Sequence, residues 1–302
     1  MAASVGMLFP GQGSQFVGMG KDYYDSFPEA RALYRAANDA LGFDIAELSF
    51  GGDMDELTKT KNAQPAILLH SVAVLEVLSA RGVAPTVVAG HSLGEFSALV
   101  AAGFFRPLDA LKIVRRRGEL MYDAGVERPG TMAAIIGLDE STVEACVAEA
   151  GGVVVVANYN SPAQFAISGD VAAVERACEV CKAHGAKRAL KLPVSGAFHS
   201  PLMEPAVDEF RAFLTGFPSG ELRVPWVANV TGDVVADRMR VLDLLAQQLK
   251  SAVQWTRSMR AFAAVHAGTS YEVGPGAVLA GLMKRIVDGA EVVSLSSASA
   301  LP

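Results

Sequence analysis

The stretch VVAGHSLGEFSALVAAG, residues 87–103, decides the fold. Its apolar, β-branched opening predicts a buried strand, and the LGEFSALVAA that follows predicts a helix. Between them, Gly90, Ser92 and Gly94 fit the Gly-x-Ser-x-Gly turn that holds a nucleophilic serine at the edge of a parallel sheet. The short pattern alone is weak evidence, but its position between a strand and a helix favours a reactive serine over an idle one.

The sequence on both sides alternates strands and helices, as a doubly wound parallel sheet requires. Residues 5–9, VGMLF, predict a short buried strand that runs into the glycine loop PGQGSQ. Helices are predicted in PEARALYRAANDAL, which ends at Gly42, and in two segments that open at Pro65 and Pro107. A loop at the end of a strand is where functional sites form in such folds.

The order of predicted strands and helices changes from about residue 130. Over roughly 65 residues the predicted order becomes β-α-β-β-α-β, the split βαβ pattern of a ferredoxin-like module. Alternating strands and helices then resume with VPWVANV and SYEVG. We therefore expect an α/β protein whose parallel sheet is interrupted by an inserted α+β subdomain.

The composition limits the classes of function. The chain has 302 residues, 51% of them hydrophobic, and can bury a large core. Its 32 acidic and 26 basic side chains give a net charge of -6, so no general positive field is available to hold nucleic acid or an anionic membrane. An acidic partner would need a local basic patch.

Targeting signals and cysteine usage predict a cytoplasmic protein. The N-terminus has no basic segment ahead of an apolar run of signal length, and no later stretch approaches the roughly 20 apolar residues of a membrane helix. The three cysteines, Cys146, Cys178 and Cys181, cannot all pair, which suits a reducing compartment. A metal site at the Cys-x-x-Cys pair would want two more ligands nearby, so buried thiols are the better interpretation.

A serine nucleophile needs a base, and the chain has five histidines. His91 adjoins the serine along a strand end, so we expect its side chain to point away from the hydroxyl. His70 lies in an apolar helix, and His184 and His266 sit at helix C-termini, where a cation is favoured. His199 lies in the irregular segment SGAFHSPLM, and elimination favours it as the base over a structural histidine.

An acyl intermediate needs hydrogen-bond donors for its oxyanion. The main-chain N–H of Leu93 directly follows the serine, and the glycine-rich loop around Gln12 follows the first predicted strand. This loop is the candidate for the second donor. It is also explained as a tight turn that needs positive backbone angles.

The run RRRG at 115–118 places three arginines in consecutive helical positions, where they point in three directions. At most one or two can face a pocket, and a solvated face is the usual explanation. The spacing does not choose among them. If the acyl group carries a free carboxylate, a guanidinium is its natural partner because the planar fork binds both oxygens.

From FPGQGSQ through QPAILL, GHSLGE, RRRGELM, NYNSP, GAFHSPLM and VQWT to YEVGPGAVLAGLMKR, the chain resembles the malonyl-CoA:acyl carrier protein transacylases and the acyltransferase domains of polyketide synthases. The resemblance implies a hydrolase-like parallel-sheet core with a ferredoxin-like insertion. We expect the large subdomain at 1–127 and 197–302 and the small one at 128–196.

The resemblance also implies roles for single residues. Ser92 is expected to be the nucleophile and His199 its base, with the histidine oriented by the main-chain carbonyl of Gln248 instead of an aspartate. Gln12 and Leu93 are expected to supply the oxyanion N–H groups.

Substrate recognition is implied by further matches. Arg117 is expected to hold the malonyl carboxylate, with Gln64 nearby. In the related polyketide domains, a residue such as Leu93 after the serine and a Phe before the histidine, here Phe198, accompany malonyl selection. The ring would clash with the extra methyl of methylmalonyl, although one methyl is worth only about 1 to 3 kcal/mol.

The implied reaction is ping-pong transfer of malonyl from malonyl-CoA to the phosphopantetheine thiol of acyl carrier protein, in fatty acid biosynthesis, without metal or bound cofactor. The carrier is acidic, and Lys187, Arg188, Lys284 and Arg285 match positions implicated in binding it, although solvated surface charge explains them equally well. We expect a monomer that binds neither nucleic acid nor membrane.

Three alternatives remain at this point. A free-standing acyltransferase of a polyketide synthase would carry the same motifs. A serine thioesterase shares the Gly-x-Ser-x-Gly turn but should place an acid and then a histidine after the serine. A non-catalytic scaffold that binds the carrier predicts loss of the nucleophile, the base or the arginine, and all three are present.

Overall fold

Two sheets organise the chain in the computed structural model, which describes residues 4–302. The strands are β1 (Ser4–Phe9), β2 (Ala84–Gly90), β3 (Gly130–Ile136), β4 (Val154–Ser161), β5 (Gln164–Asp170), β6 (Arg188–Lys191), β7 (Trp226–Val227), β8 (Val234–Val235), β9 (Ser270–Glu272) and β10 (Val292–Ser294). The helices are α1 (Lys21–Ser26), α2 (Pro28–Leu41), α3 (Ile45–Phe50), α4 (Met54–Thr58), α5 (Thr60–Ala80), α6 (Gly94–Ala101), α7 (Pro107–Glu127), α8 (Glu140–Ala150), α9 (Val171–Ala183), α10 (Glu204–Leu214), α11 (Val241–Gln247), α12 (Trp255–Val265) and α13 (Val278–Ile286).

The first sheet has the order β10-β9-β1-β2-β7-β8 and is parallel except for its last pair. β1 and β2 lie side by side with Phe9 opposite Gly90, so both strands end at the same edge of the sheet. The loop after β1 and the serine turn after β2 therefore meet there, as expected for a parallel sheet.

The second sheet contains β3 to β6 in the order β4-β5-β3-β6, with every pair antiparallel. With α8 and α9 in the connections, this is the predicted β-α-β-β-α-β order. The mixed α/β class, with a parallel core and a separate antiparallel subdomain, is thus confirmed. The subdomain boundaries at 128 and 196 stay a prediction.

We call the first sheet with its helices the first unit, and the second sheet with α8 and α9 the second unit. The two units are joined through the outer edge of β4. The main-chain N–H of Val253 donates to the carbonyl of Ala157 at 2.8 Å, and its carbonyl accepts from Tyr159 at 2.9 Å. The hydroxyl of Thr256 donates to the Tyr159 carbonyl as well. These bonds fix the second unit against the segment before α12 and so define the cleft between the units.

Helix α5 differs from two expectations. It begins at Thr60, so Pro65 lies inside the helix instead of opening it. It is also 21 residues long and apolar enough to cross a membrane, which contradicts the expectation that no stretch is, but 78% of its most apolar window is buried inside the protein, as in a core helix.

The interior proline is tolerated because a neighbouring helix replaces the hydrogen bond that it removes. Pro65 cannot donate to the carbonyl of Lys61, one turn earlier. That carbonyl instead accepts from the guanidinium of Arg115 on α7 at 3.0 Å. Helices α5 and α7 can approach this closely because Gly118 has no side chain: a Cβ there would lie 2.8 Å from Lys61 Cα and 2.9 Å from the Thr60 carbonyl oxygen.

We predict that Gly118→Ala lowers the free energy of unfolding by about 1 to 3 kcal/mol, because the added methyl forces two backbones apart. The matched control is Gly281→Ala in α13, where a Cβ meets nothing within 4 Å. Better helix propensity should make that variant more stable by about 0.5 to 1 kcal/mol. Urea unfolding followed by circular dichroism measures both, and equal effects of the two substitutions would contradict the packing argument.

Candidate active site

The serine turn is sharp, and its two glycines are required by close backbone contacts. Ser92 leaves β2 in a left-handed conformation, with φ of 50°. A Cβ on Gly90 would lie 1.9 Å from the carbonyl carbon of Gly94, and one on Gly94 would lie 2.1 Å from the carbonyl oxygen of Phe9. Only glycine fits at either position, so the turn can bring the hydroxyl to the edge of the sheet.

Ser92 and His199 are brought together from positions 107 residues apart: Oγ lies 2.8 Å from Nε2. His199 also has a left-handed backbone, with φ of 57°, and its N–H donates to the carbonyl of Leu249 at 3.0 Å. Within residues 4–302 these two are the only residues other than glycine with positive φ. Backbone strain of this kind concentrates at functional sites.

The tautomer of His199 follows from its surroundings. Nδ1 lies 2.8 Å from the carbonyl oxygen of Gln248 and 3.2 Å from that of Ser251. Carbonyl oxygens only accept, so Nδ1 carries the hydrogen. Nε2 then has a free lone pair and accepts the hydrogen bond from the Ser92 hydroxyl.

The electrostatic environment keeps His199 neutral. Burial, and secondly the positive charge of Arg117, lower the pKa of His199 to about 3 from its ordinary value of 6.5. The two carbonyls that accept from Nδ1 oppose this fall only in part. The imidazole is therefore unprotonated at neutral pH and able to accept the serine proton.

Arg117 is the one arginine of the RRRG run that is buried. Its guanidinium donates to Gln64 Oε1 at 2.8 Å, to Gln248 Oε1 at 2.6 Å and to Ser92 Oγ at 3.2 Å. Nε has no acceptor among residues 4–302, so the guanidinium keeps donor capacity for an anion. Burial lowers the pKa of Arg117 to about 10, which leaves it charged at neutral pH.

The main-chain N–H groups of Gln12 and Leu93 donate to no acceptor among the described residues 4–302. Both residues border the same cavity as Ser92. The loop that carries Gln12 lies directly against the serine turn, because a Cβ on Gly11 would lie 2.4 Å from the His91 carbonyl oxygen. Two main-chain donors without acceptors among the described residues therefore belong to residues that border this cavity.

A cavity of about 230 Å³ holds these groups and takes its walls from both units. Met132, Asn158 and Leu192 line it from the second unit. Phe198, 5% exposed, lines it beside His199. The cleft is therefore shaped by the inserted sheet, while the reactive groups come from the parallel core.

The other four histidines have structural surroundings. His91 borders the cavity, but its ring contacts Asn160 and Trp255, whereas the Ser92 hydroxyl contacts His199 and Arg117. His70 is buried inside α5, His184 is exposed, and Nε2 of His266 accepts from a main-chain N–H of β1.

Several polar residues of the site escaped sequence reasoning. Asn160 Oδ1 pairs with His91 Nε2 at 2.8 Å. Asn229 Oδ1 accepts from the Ser92 N–H at 2.7 Å, and the buried Glu95 accepts from the Asn229 N–H at 2.7 Å. The motifs NYNSP, VPWVANV and GHSLGE contain them, but nothing in their spacing indicates these contacts.

The four basic residues expected to bind a carrier are all exposed. Lys187 and Arg188 lie at the start of β6, and Lys284 and Arg285 lie in the last turn of α13. Arg285 donates to Gln164 Oε1 at 2.8 Å, which brings the end of α13 against the second unit. Across residues 4–302, no cluster of three His, Cys, Asp or Glu is placed to hold a metal ion.

We predict that the His199 imidazole does not titrate between pH 8 and pH 5, because its pKa lies far below 6.5. The measurement is NMR of protein labelled at histidine Cε1, with the resonance assigned by its loss in His199→Gln. A midpoint anywhere between pH 5 and pH 8 for this resonance would contradict the account of the base.

The chain is similar to known proteins over nearly its whole length. Residues 7–301 match the family described as acyl transferase domain. The chain is similar to proteins named malonyl CoA-acyl carrier protein transacylase from Bacillus subtilis, 43% identical over 97% of this chain and 94% of that one, and from Escherichia coli, 46% identical over 97% and 96%.

Solved structures are similar over nearly the whole fold. An acyl carrier protein S-malonyltransferase from Vibrio cholerae has a TM-score of 0.93 at 42% identity, covering 98% of this chain and 97% of that chain. A malonyl-transacylase in complex with its type II polyketide synthase acyl-carrier protein has a TM-score of 0.95 at 40% identity, covering 99% and 97%.

Proposed function

The chain belongs to the acyl transferase domain family, and from this membership we propose that it transfers malonyl from malonyl-CoA to the phosphopantetheine thiol of an acyl carrier protein, in fatty acid biosynthesis. The observation that carries the proposal is the contact of Ser92 Oγ with both His199 Nε2 and the buried guanidinium of Arg117. A nucleophile, a base and a carboxylate-binding group thus share one cavity.

In the first half-reaction, the Ser92 hydroxyl passes its proton to His199 Nε2 as Oγ attacks the thioester carbonyl of malonyl-CoA. The N–H groups of Gln12 and Leu93 donate to the carbonyl oxygen as it becomes negative. The C–S bond then breaks, the CoA sulfur takes the proton from Nε2, and malonyl remains on Ser92 as an ester. Gln248 orients the base through its carbonyl.

Selection of malonyl is assigned to Arg117, Gln64 and Phe198. The guanidinium binds the free carboxylate, and Gln64 holds the guanidinium in place at 2.8 Å. A bound carboxylate also offsets the positive charge that lowers the pKa of His199, so the correct substrate makes the base stronger. The buried ring of Phe198 limits the space beside the α-carbon.

In the second half-reaction, His199 accepts the proton of the carrier's pantetheine thiol, the sulfur attacks the malonyl ester, and Ser92 regains its proton as it leaves. Lys187, Arg188, Lys284 and Arg285 are the proposed contacts for the acidic carrier. We propose that the protein acts as a monomer, and the three unpaired cysteines support a cytoplasmic site of action.

Two alternatives are weaker. Supply of a polyketide synthase is favoured only by the similarity to the malonyl-transacylase solved with a polyketide carrier. A thioesterase is disfavoured because His199 Nδ1 faces two carbonyl oxygens where that class of enzyme uses a carboxylate.

The proposal is tested by the two half-reactions in turn. Protein mixed with malonyl-CoA should gain the mass of one malonyl group at Ser92, and holo acyl carrier protein should then remove it and become malonylated. Ser92→Ala should form no adduct. Arg117→Ala should reduce kcat/KM for malonyl-CoA by about 100-fold or more, because charge-assisted bidentate bonds are lost, while acetyl-CoA should lose far less.

Loss of the adduct to water, with no malonyl on the carrier, would favour a thioesterase instead. Faster transfer to a polyketide carrier than to a fatty acid carrier would favour the polyketide alternative. Reversing the charge of the basic residues, as in Lys284→Glu with Arg285→Glu, should slow only the transfer of malonyl from Ser92 to the carrier. The control Lys112→Glu, at an exposed lysine on α7, should change neither half-reaction.

A further inference from the structure

Glu95 is a charged side chain in an unusual place. It lies in the first turn of α6, three residues after the nucleophile, and is 1% exposed. It does not border the substrate cavity. Taking a carboxylate out of water is costly unless every oxygen is hydrogen-bonded, so its contacts indicate what it holds.

Both oxygens of Glu95 accept hydrogen bonds from residues that are themselves hydrogen-bonded to the main chain of Ser92. Oε1 accepts from the main-chain N–H of Asn229 at 2.7 Å, and Oε2 accepts from Nε2 of Gln248. Asn229 Oδ1 in turn accepts from the Ser92 N–H at 2.7 Å, and Gln248 Nε2 also donates to the Ser92 carbonyl at 2.9 Å. The peptide groups on both sides of Ser92 are thus clamped.

The clamp extends to the strand that carries the turn, because Asn229 Nδ2 donates to the carbonyl of Gly90 at 2.7 Å. A left-handed serine is strained and persists only where its surroundings hold it. The hydrogen bonds from Asn229 and Gln248 supply this support. Glu95 is the group that joins the two supporting residues.

Glu95 lies against the NH2 group of the Gln248 amide. The Ser92 carbonyl only accepts and the guanidinium of Arg117 only donates, so Gln248 turns its NH2 toward Ser92 and Glu95. Its oxygen is then left to accept from the guanidinium of Arg117 at 2.6 Å. The main-chain carbonyl of the same glutamine accepts from His199 Nδ1. One carboxylate is therefore linked to the nucleophile, the base and the arginine.

The charges are mutually supportive. Burial raises the pKa of Glu95 to about 8 even though the hydrogen bonds from Asn229 and Gln248, together with the charge of Arg117, lower it. Burial lowers the pKa of Arg117, and Glu95 opposes that fall. Each group favours the charged form of the other.

We propose that Glu95 is a positioning residue for acyl transfer: through Asn229 and Gln248 it holds the Ser92 backbone in the left-handed conformation and presents the Gln248 oxygen to Arg117. The inference rests on the proposed function. It assigns no contact between Glu95 and substrate.

The test is Glu95→Gln, which keeps the shape but sets an NH2 group against one of the two donors. We expect the single-turnover rate of Ser92 malonylation to fall about 100-fold per folded molecule, the order of loss seen when a nucleophile is slightly misplaced. The dissociation constant of malonyl-CoA, measured with the unreactive Ser92→Ala background, should change less than about threefold, because Arg117 and the cavity walls remain.

Glu272→Gln is the matched control. Glu272 is also a buried carboxylate, and it accepts main-chain N–H bonds from Leu279 and Ala280 at 3.0 and 2.8 Å, away from the cavity. This variant should lose stability yet malonylate Ser92 at the normal rate per folded molecule. Comparison of the two variants separates positioning from a general loss of stability.

A second variant keeps the test decisive if Glu95→Gln folds poorly. Asn229→Ala removes the acceptor for the Ser92 N–H but leaves the main-chain N–H that donates a hydrogen bond to Glu95. It should slow malonylation similarly. The double variant should be slowed, relative to the unmodified protein, by less than the product of the two single effects, because both substitutions act through one clamp.

Malonylation of Glu95→Gln at the normal rate per folded molecule, or effects of Glu95→Gln and Asn229→Ala that multiply fully, would overturn the inference. If the unmodified protein forms no malonyl adduct at all, it is the proposed function that fails. The two failures are therefore distinguishable.

Discussion

The left-handed backbone of Ser92 is the constraint on which the rest of the site depends. It lets a strand of the parallel sheet pass directly into α6 while the hydroxyl stays at the sheet edge. Gly90 and Gly94 leave room for the turn, since any side chain on either would meet backbone within about 2 Å. The same turn places Leu93, whose main-chain N–H has no acceptor among residues 4–302, at the border of the cavity that Ser92 also lines.

The proposed base works without an acid partner. His199 Nδ1 donates to two carbonyl oxygens, which fix the tautomer but provide less stabilisation for a protonated ring than a carboxylate would. Burial and Arg117 lower its pKa further, so the free protein holds a neutral and weak base. In the proposed mechanism, a carboxylate bound beside Arg117 would restore part of that basicity and so link catalysis to the identity of the acyl group.

Local patterns predicted the elements but not the contacts that cross between them. The strand–turn–helix at Ser92 and the order of the inserted subdomain follow from periodicity, glycines and prolines, which act within a few residues. Pro65 misled because Arg115, distant in sequence, satisfies the carbonyl that the proline leaves unpaired.

For the site as well, single residues were predictable from the sequence, but the contacts between them were not. Ser92 and His199 stood out by local context, whereas spacing left the three adjacent arginines equivalent. The resemblance singled out Arg117, and packing buries that arginine alone. Glu95 and Asn229 are 134 residues apart, and no spacing rule indicates that they meet. Their pairing depends on how β7 lies beside β2 in the folded sheet.

The most direct measurement is a crystal structure of the protein with malonyl trapped on Ser92. We predict that the ester carbonyl oxygen lies within hydrogen-bond distance of the N–H groups of Gln12 and Leu93, that the malonyl carboxylate contacts the guanidinium of Arg117, and that Ser92 keeps its positive φ. An ester oxygen directed away from both N–H groups, or a carboxylate directed to solvent, would contradict the account.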